Sequence, residues 1–356
     1  MKVLVAMSGG VDSSVAAKLT LLSGAECVGA TMKLYSNDDI GLEKSHTCCS
    51  LDDVSDARQV ALNLGIKYYV FNFCEGFREK IIDKFNDEYL KGYTPNPCID
   101  CNRFMKFGKL FERADALSCD YIATGHYVRR EEKNGLFYLK KGIDETKDQS
   151  YVLWFLNQQT LSRLLFPLGD YKKSEVREIA EKCGFINARK HDSQDICFVP
   201  DGRYANAIVR FSGSVPPVGD YLDINGKVIG KHKGIIHYTL GQHKGLAINS
   251  ADKLFVIGID PERNTVTLGE EKYLFKTTAE VTDVNFVLGR PEKFPFRCTA
   301  KTRYSHKDQS ATVYETDEGI KIVFDEPQRA ITPGQSAVLY DGDVVLGGGI
   351  ITRKIY

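Results

Sequence analysis

At 356 residues, 43% of them hydrophobic, the chain is long enough for two or three packed domains. Its 47 Lys and Arg balance 47 Asp and Glu, which excludes a uniformly basic nucleic-acid binder and leaves any RNA contact to local patches. No apolar run reaches the about 18 residues of a membrane span, and the opening run Val3–Met7 is too short for a signal peptide, so a cytoplasmic chain that binds no membrane, with most of its ten cysteines reduced, is expected.

Residues 2–7 read as a buried parallel strand. Asp12 and Ser13 then precede Val15, Ala16, Leu19 and Leu22, which have helical spacing. A strand is expected at Glu26–Leu34, a polar stretch through Ser50, a helix from Val54 to Leu64 stopped by Gly65, and a strand at Lys67–Asn72. An amphipathic helix Phe77–Leu90 ends at Gly92, and Thr94-Pro95-Asn96-Pro97 holds the chain extended because residues before proline avoid the helical region. A helix is expected from Cys101 to Leu117, a strand at Asp120–Thr124, and helices at Tyr151–Leu164 and Lys173–Cys183. This alternation predicts an α/β fold with an open, largely parallel sheet whose ligand sites lie at strand ends.

After Pro200 the texture changes: glycines and prolines from Gly213 to Gly258 cut the chain into short pieces, and no long helical pattern follows. The expected domains are 1–205, the parallel-sheet unit; 206–275, a small, mostly β central domain; and 276–356, a β-barrel. Gly347-Gly348-Gly349 is expected to form a tight turn before the final strand. Between Arg290 and Lys307, six basic residues accompany one acid, and Tyr304 sits among them; an RNA-facing patch and a solvated barrel face are equally good readings.

The sharpest motif is Ser8-Gly9-Gly10-Val11-Asp12-Ser13-Ser14, between the first strand and the first helix. Glycines allow backbone N–H groups to face phosphate oxygens, and the helix N-terminus adds favourable potential. Asp12 would repel bare phosphate and makes sense as a partner of Mg2+ or as a cap. A Walker loop would need Gly-Lys-Ser/Thr, and a dinucleotide fingerprint a third spaced glycine; the motif matches neither. It resembles the pyrophosphate (PP) loop of N-type ATP pyrophosphatases, which split ATP between the α and β phosphates and adenylate an acceptor.

Cys98-Ile99-Asp100-Cys101 follows the double-proline turn at a helix start, where helix potential favours a thiolate. Cys197 lies far along the chain between Ile196 and Phe198, facing away from both if the piece is extended. Cys98 and Cys101 suit a redox pair, part of a metal site, or coincidence, and an iron–sulfur cluster (4Fe–4S type) on Cys98, Cys101 and Cys197 stays open. Cys27, Cys74, Cys119, Cys183 and Cys298 read as small hydrophobes. Cys48 and Cys49 sit in a polar stretch where exposure is as open as burial.

Met7–Ser14, Thr94–Phe107, Ala123–Tyr127, Asp148–Leu153, Asp192–Phe198, Tyr238–Leu246 and Thr332–Gly349 together resemble the bacterial tRNA-specific 2-thiouridylases, which make 2-thiouridine at wobble position 34. The resemblance implies a PP-loop ATP pyrophosphatase domain, a central domain and a C-terminal barrel, the last two binding tRNA. It implies ATP contacts from Ala6, Met7, Ser8, Gly9, Gly10, Val11, Asp12, Ser13, Met32 and Gly125, with Mg2+. It makes Cys197 the persulfide carrier, loaded by a sulfur-donor protein, and Cys101 the second catalytic cysteine, joined to Cys197 in a disulfide after turnover. Asn96, Pro97 and Cys98 would lie beside the target uridine in the anticodon loop of Lys, Glu or Gln tRNA. His126, Lys147, Asp148, Gln149, Arg303, Tyr304 and Gln335 would contact the tRNA elsewhere. One form of the family has aspartate, assigned acid–base work, where this chain has Cys98. The other readings are a PP-loop ligase or amidating synthetase acting on a small molecule, which would not need Cys101 and Cys197, and a non-catalytic RNA-binding scaffold.

Overall fold

The computed structural model describes residues 1–35, 51–192, 196–199, 201–250 and 252–356; Cys48, Cys49 and Ser193–Asp195 lie outside the described residues. Strands are numbered in chain order. β1 (Lys2–Ala6), β2 (Glu26–Lys33), β3 (Lys67–Asn72), β4 (Tyr121–Ala123) and β7 (Leu164–Leu165) form a parallel sheet in the order β3-β2-β1-β4-β7. Val3, Leu4 and Val5 of the central strand are fully buried, as a strand covered on both faces requires. The chain leaves β1 toward β2 on one side while β4 pairs on the other, so the switch point of the sheet lies between β1 and β4.

Two helical stretches flank this sheet and change pitch along their length. Residues 74–90 run as α-helix (Cys74–Phe77), π-helix (Arg78–Asp83) and α-helix (Lys84–Leu90). Residues 97–116 run as α-helix (Pro97–Asp100), π-helix (Cys101–Lys109) and α-helix (Leu110–Ala116). The second stretch begins at Pro97 rather than Cys101, because Asn96 caps it by accepting from the Cys98 N–H at 3.1 Å and Pro97 suits the first helical position.

β8 (Gly219–Leu222), β9 (Val228–His232), β10 (Phe255–Asp260) and β11 (Thr265–Gly269) make a mixed four-stranded sheet. β12 (Phe275–Phe286), β13 (Phe296–Lys301), β14 (Gln309–Thr316), β15 (Gly319–Arg329), β16 (Ser336–Asp341) and β17 (Val344–Ile355) form an antiparallel barrel, closed where β12 pairs with β17. Its interior is small and branched, with Ala279, Val281, Ala300, Val313, Ile322 and Ile351 buried together.

Four elements depart from expectation. The helix expected over Tyr151–Leu164 is instead a 3-10 turn (Ser150–Leu153), a short helix (Gln158–Ser162) and β7. Asn285 donates to the carbonyls of Trp154 and Leu156 at 2.9 and 3.0 Å, and Asn157 caps a new start by accepting from Thr160 at 2.9 Å, so tertiary bonds override the apolar period. A helix at Tyr204–Ser212 enters the region read as mostly β. Its Ala207, Ile208 and Phe211 are buried, and Phe211 meets Phe198 at 6.1 Å between ring centroids.

The Gly347–Gly349 triplet lies inside β17 and is not a turn. A Cβ on Gly348 would stand 2.7 Å from the Ala337 carbonyl, and one on Gly349 2.6 Å from a Val281 methyl, so the glycines serve close strand packing. The fourth departure is a hairpin, β5 (Val128–Lys133) and β6 (Leu136–Lys141), which leaves the parallel-sheet unit and extends the barrel sheet by pairing Lys140 with Val344 of β17. Lys141 N–H donates to the Asp343 carbonyl at 2.7 Å, and Arg129 reaches the Asp343 carboxylate at 2.7 Å.

Candidate active site

The loop after β1 is folded back on itself. Ser8 N–H donates to Ser13 Oγ at 3.1 Å, while the Ser13 and Ser14 hydroxyls both donate to the Gly10 carbonyl at 3.0 Å. Gly9 has φ of 76°, in the left-handed region. Asn187 Nδ2 donates to both the Gly9 carbonyl and Ser14 Oγ at 2.9 Å. Lys190 sits against the same carbonyl at 3.4 Å and bonds Asp53 and Asp56 at 2.6 and 2.7 Å. Gly125, just beyond β4, passes so close to the first turn of helix Val11–Leu22 that a Cβ would lie 3.0 Å from Ser13 N. The loop and Gly125 therefore face each other across the switch point, and Met32 lies near the end of the neighbouring β2.

Asp12 does not cap the helix. Its carboxylate accepts from Tyr127 O–H at 2.7 Å and from Lys173 Nζ at 2.7 Å on both oxygens. Burial and the Asp12 charge push the Tyr127 phenol far above its ordinary range, so it remains a donor. Lys173 also reaches Asp192 at 2.8 Å, and Asp192 is shared with Lys147 at 2.7 Å and Arg177 at 2.8 Å. Burial opposes ionisation of Asp192, but Lys147 and Lys173 outweigh it and hold the carboxyl at about 2. Tyr127 closes the Ala123–Tyr127 stretch but was not singled out, and Lys173, Asn187 and Lys190 carry no motif: Lys173 meets Asp12 across 161 residues.

Cys101 opens the π segment, half-buried. Cys197 is also half-buried, in a turn closed by the Val199 N–H to Ile196 carbonyl bond at 2.8 Å, so the extended geometry expected for 196–198 is replaced by a turn. Tyr35 O–H donates to the Cys197 carbonyl at 2.9 Å. Both cysteine segments pack on the 74–90 stretch. Phe198 meets Phe77 and Phe85 edge-on at 5.8 and 5.3 Å, and Asp100 pairs with Lys84 at 2.8 Å. Burial raises the Asp100 carboxyl against the pull of Lys84. Among the other cysteines, Cys27 and Cys119 are buried, and burial pushes the Cys298 thiol up to about 12, as hydrophobe-like cysteines require; Cys74 and Cys183 are half-buried. Among the described residues, no three His, Cys, Asp or Glu side chains are grouped to hold a metal ion.

The barrel is strapped to the turn before Cys98. Thr94 N–H donates to the Pro333 carbonyl at 2.9 Å, and Gln335 Nε2 donates to the Thr94 carbonyl at 2.6 Å. Cys98 is exposed. Tyr304, 45% exposed, stands edge-on to Tyr151 at 6.0 Å, and burial, then the charges of Asp148 and Cys98, raise its phenol. Asn96–Cys98, Tyr304 and Gln335 thus lie near one another, whereas Asp148 is buried and accepts from Gly142 N–H at 3.1 Å and Ser150 Oγ at 2.7 Å. Arg303 donates to the Leu240 carbonyl at 2.9 Å, with its Nε buried and without a partner among the described residues. Gln149 exchanges bonds with Tyr127, accepting from its N–H at 3.0 Å and donating to its carbonyl at 3.1 Å. Of the basic run, Arg290 pairs with Glu315 and Arg297 with Asp325, so part of its charge is spent on the barrel itself.

His126 is 5% exposed, bound to Thr124 Oγ1 through Nδ1 at 2.8 Å and lying 3.4 Å from Lys106 Nζ. Burial, then Lys106, holds its imidazole well below 6.5, and His232, His237 and His306 are lowered as well. The unfolded chain therefore takes up protons near pH 6.5 that the folded chain refuses. Stability is expected to be intact above that pH and to fall on acidification toward the folded values, with a limiting slope of about 1.4 kcal/mol per pH unit for each such histidine. Urea unfolding at pH 7.5 and 5.5 measures this; a pH-independent midpoint would contradict it.

Family models match three segments: a tRNA methyl transferase HUP domain over residues 1–201, a tRNA methyl transferase PRC-barrel domain over 214–270, and an aminomethyltransferase beta-barrel domain over 276–351. The chain is 50% identical to the tRNA-specific 2-thiouridylase MnmA of Clostridioides difficile (strain 630), with 99% of each chain covered. It is 48% identical to the enzyme of that name from Clostridium acetobutylicum, covering 98% of this chain and 99% of that one. A 4-thiouridine synthetase–RNA complex with bound ATP shares 18% identity over 56% of this chain and 45% of its own, at a TM-score of 0.38, too little to rest an argument on. With relatives of this identity matched from end to end, the chain belongs to the tRNA-specific 2-thiouridylase family.

Proposed function

We propose that the protein is a tRNA-uridine 2-sulfurtransferase that binds ATP and Mg2+ in the Ser8–Ser14 loop and thiolates uridine 34 of tRNA. The observation that carries this reading is the placement of a lysine-free phosphate loop and two cysteine segments on one α/β unit, with the barrel strapped to the turn beside Cys98. The uridine O2 attacks the α-phosphorus of ATP, the α–β bond breaks, and pyrophosphate leaves. Adenylation makes O2 a leaving group. The terminal sulfur of a Cys197 persulfide then attacks C2, and the C2–O2 bond breaks with release of AMP. Cys101 thiolate attacks Cys197 Sγ, the S–S bond breaks toward the base, and 2-thiouridine forms with a Cys101–Cys197 disulfide that an external dithiol reduces. The persulfide comes from a sulfur-donor protein, the tRNA set is that for Lys, Glu and Gln, and the compartment is the cytoplasm.

Residues 1–205 would carry adenylation and sulfur transfer, and 206–275 with 276–356 would hold tRNA. Tyr304 offers a stacking face for a splayed base, and Lys147 a charge for phosphate once released from Asp192. His126 reaches the tRNA only if the layer over it opens.

The test is anaerobic thiolation of unmodified tRNA with ATP, Mg2+ and a persulfide donor, using iron-free protein. Cys197→Ser and Cys101→Ala are each expected to lower 2-thiouridine at position 34 by at least about 1,000-fold while pyrophosphate release with tRNA persists. AMP formation that needs no tRNA and is unchanged in both variants would favour a PP-loop ligase on another acceptor. Absence of AMP from the wild type would favour an RNA-binding scaffold.

A further inference from the structure

A triphosphate is multiply anionic, yet the Ser8–Ser14 loop offers it only backbone dipoles and hydroxyls, with no lysine of its own. The fold brings cations from elsewhere. Lys173, the first residue of helix Lys173–Lys182, is 9% exposed and holds Nζ 2.7 Å from both Asp12 oxygens and 2.8 Å from Asp192. Its backbone N–H is fixed by Asp144 Oδ2 at 2.9 Å, so the start of the helix is anchored while the side chain extends into the site.

We propose that Lys173 is the phosphate-binding cation of this site, stored on Asp12 and turned to the pyrophosphate half of ATP when Mg2+ takes the Asp12 carboxylate. The inference rests on the reading that the loop receives ATP. Three features carry it. Asp12 is the loop's acid, and a cation already occupies it as a metal would. Asp192 keeps Arg177 when Lys173 leaves, and Lys147 as well until tRNA draws it away, so no carboxylate is stranded by the exchange. The rival, Lys190, is on the wrong side: it sits against the Gly9 carbonyl, opposite to the direction in which the following N–H points, and is engaged by Asp53 and Asp56. Charge-assisted bonds to phosphate are the strong class of hydrogen bond, so the contribution is expected to be large.

Calorimetric titration of the full chain with ATP·Mg2+, pyrophosphate·Mg2+ and AMP separates this role from a structural one. Lys173→Met is expected to weaken ATP and pyrophosphate by about 10- to 100-fold. AMP, which lacks the pyrophosphate half, is expected to stay within about twofold. Equal weakening of AMP and pyrophosphate, or unchanged pyrophosphate binding, overturns the proposal. Should Lys173→Met fail to fold, Lys173→Gln combined with Asp192→Asn removes one charge of each sign and permits the same comparison. A wild type that binds neither ATP nor pyrophosphate removes the functional reading instead; a wild type that binds both, with the variant unchanged, removes only this inference.

Discussion

Gly9→Ala is expected to reduce formation of AMP and pyrophosphate by at least about 100-fold, or about 2.7 kcal/mol of transition-state stabilisation, in a chain that still folds. Gly9 holds φ of 76°, where an alanine costs about 1–2 kcal/mol before any contact is counted. The new Cβ would also fall 2.8 Å from Asp53 Cα and collide with the Asp53 carbonyl, and these are backbone atoms of helix Leu51–Asn63. The loop must therefore move, carrying with it the Gly9 carbonyl that Asn187 and Lys190 hold. Displacement by an ångström is enough to spoil preorganised phosphate contacts. Circular dichroism tests whether the fold survives, and single-turnover AMP formation tests the loop. Wild-type AMP formation would show that the loop tolerates another conformation.

The second large effect concerns the only tryptophan. Trp154→Ala is expected to cost about 3–5 kcal/mol of stability. Trp154 is fully buried, its Nε1 donates to Ser336 Oγ at 3.0 Å, and its ring fills the space that Gly348 leaves open. Tyr151 beside it donates to the Ser336 carbonyl at 2.8 Å. Truncation empties a space between two units rather than inside one, so the barrel loses its seat as well as its packing. Urea unfolding followed by circular dichroism reads the loss, since the fluorescence reporter is itself removed; Trp154→Phe should recover part of it. A loss below about 1 kcal/mol would mean that the seam repacks.

The parallel sheet was legible because its strands are apolar runs bounded by glycines and its ATP loop is a local word, Ser8 to Ser14. Cys101 and Cys197 stood out by chemistry and resemblance, and the thiolation test above decides their roles. The helix Tyr204–Ser212 was missed although Ala207, Ile208 and Phe211 are spaced along one face, because the glycines and prolines that follow masked it. The Asp12–Lys173–Asp192 bridge was not legible, because lysine and aspartate are ordinary surface residues until topology joins them. Nor was the fate of Tyr151–Leu164, whose helical period is real but whose carbonyls are claimed by Asn285 from the barrel. The glycine triplet misled for a related reason: the same residue serves turns and close packing, and only the neighbours distinguish them.

The β5–β6 hairpin alters what a module means in this chain. Residues 128–141 are contiguous with the parallel sheet in sequence but finish a sheet whose other strands arrive after residue 274. The units are laced together rather than strung like beads. Recombination that exchanged the barrel at its covalent border would leave the hairpin facing a stranger, with Arg129 and Lys140 deprived of Asp343. The parallel-sheet unit and the barrel therefore share a seam that neither completes alone, and a change at Asp343 is felt by Arg129 and Lys140 across it.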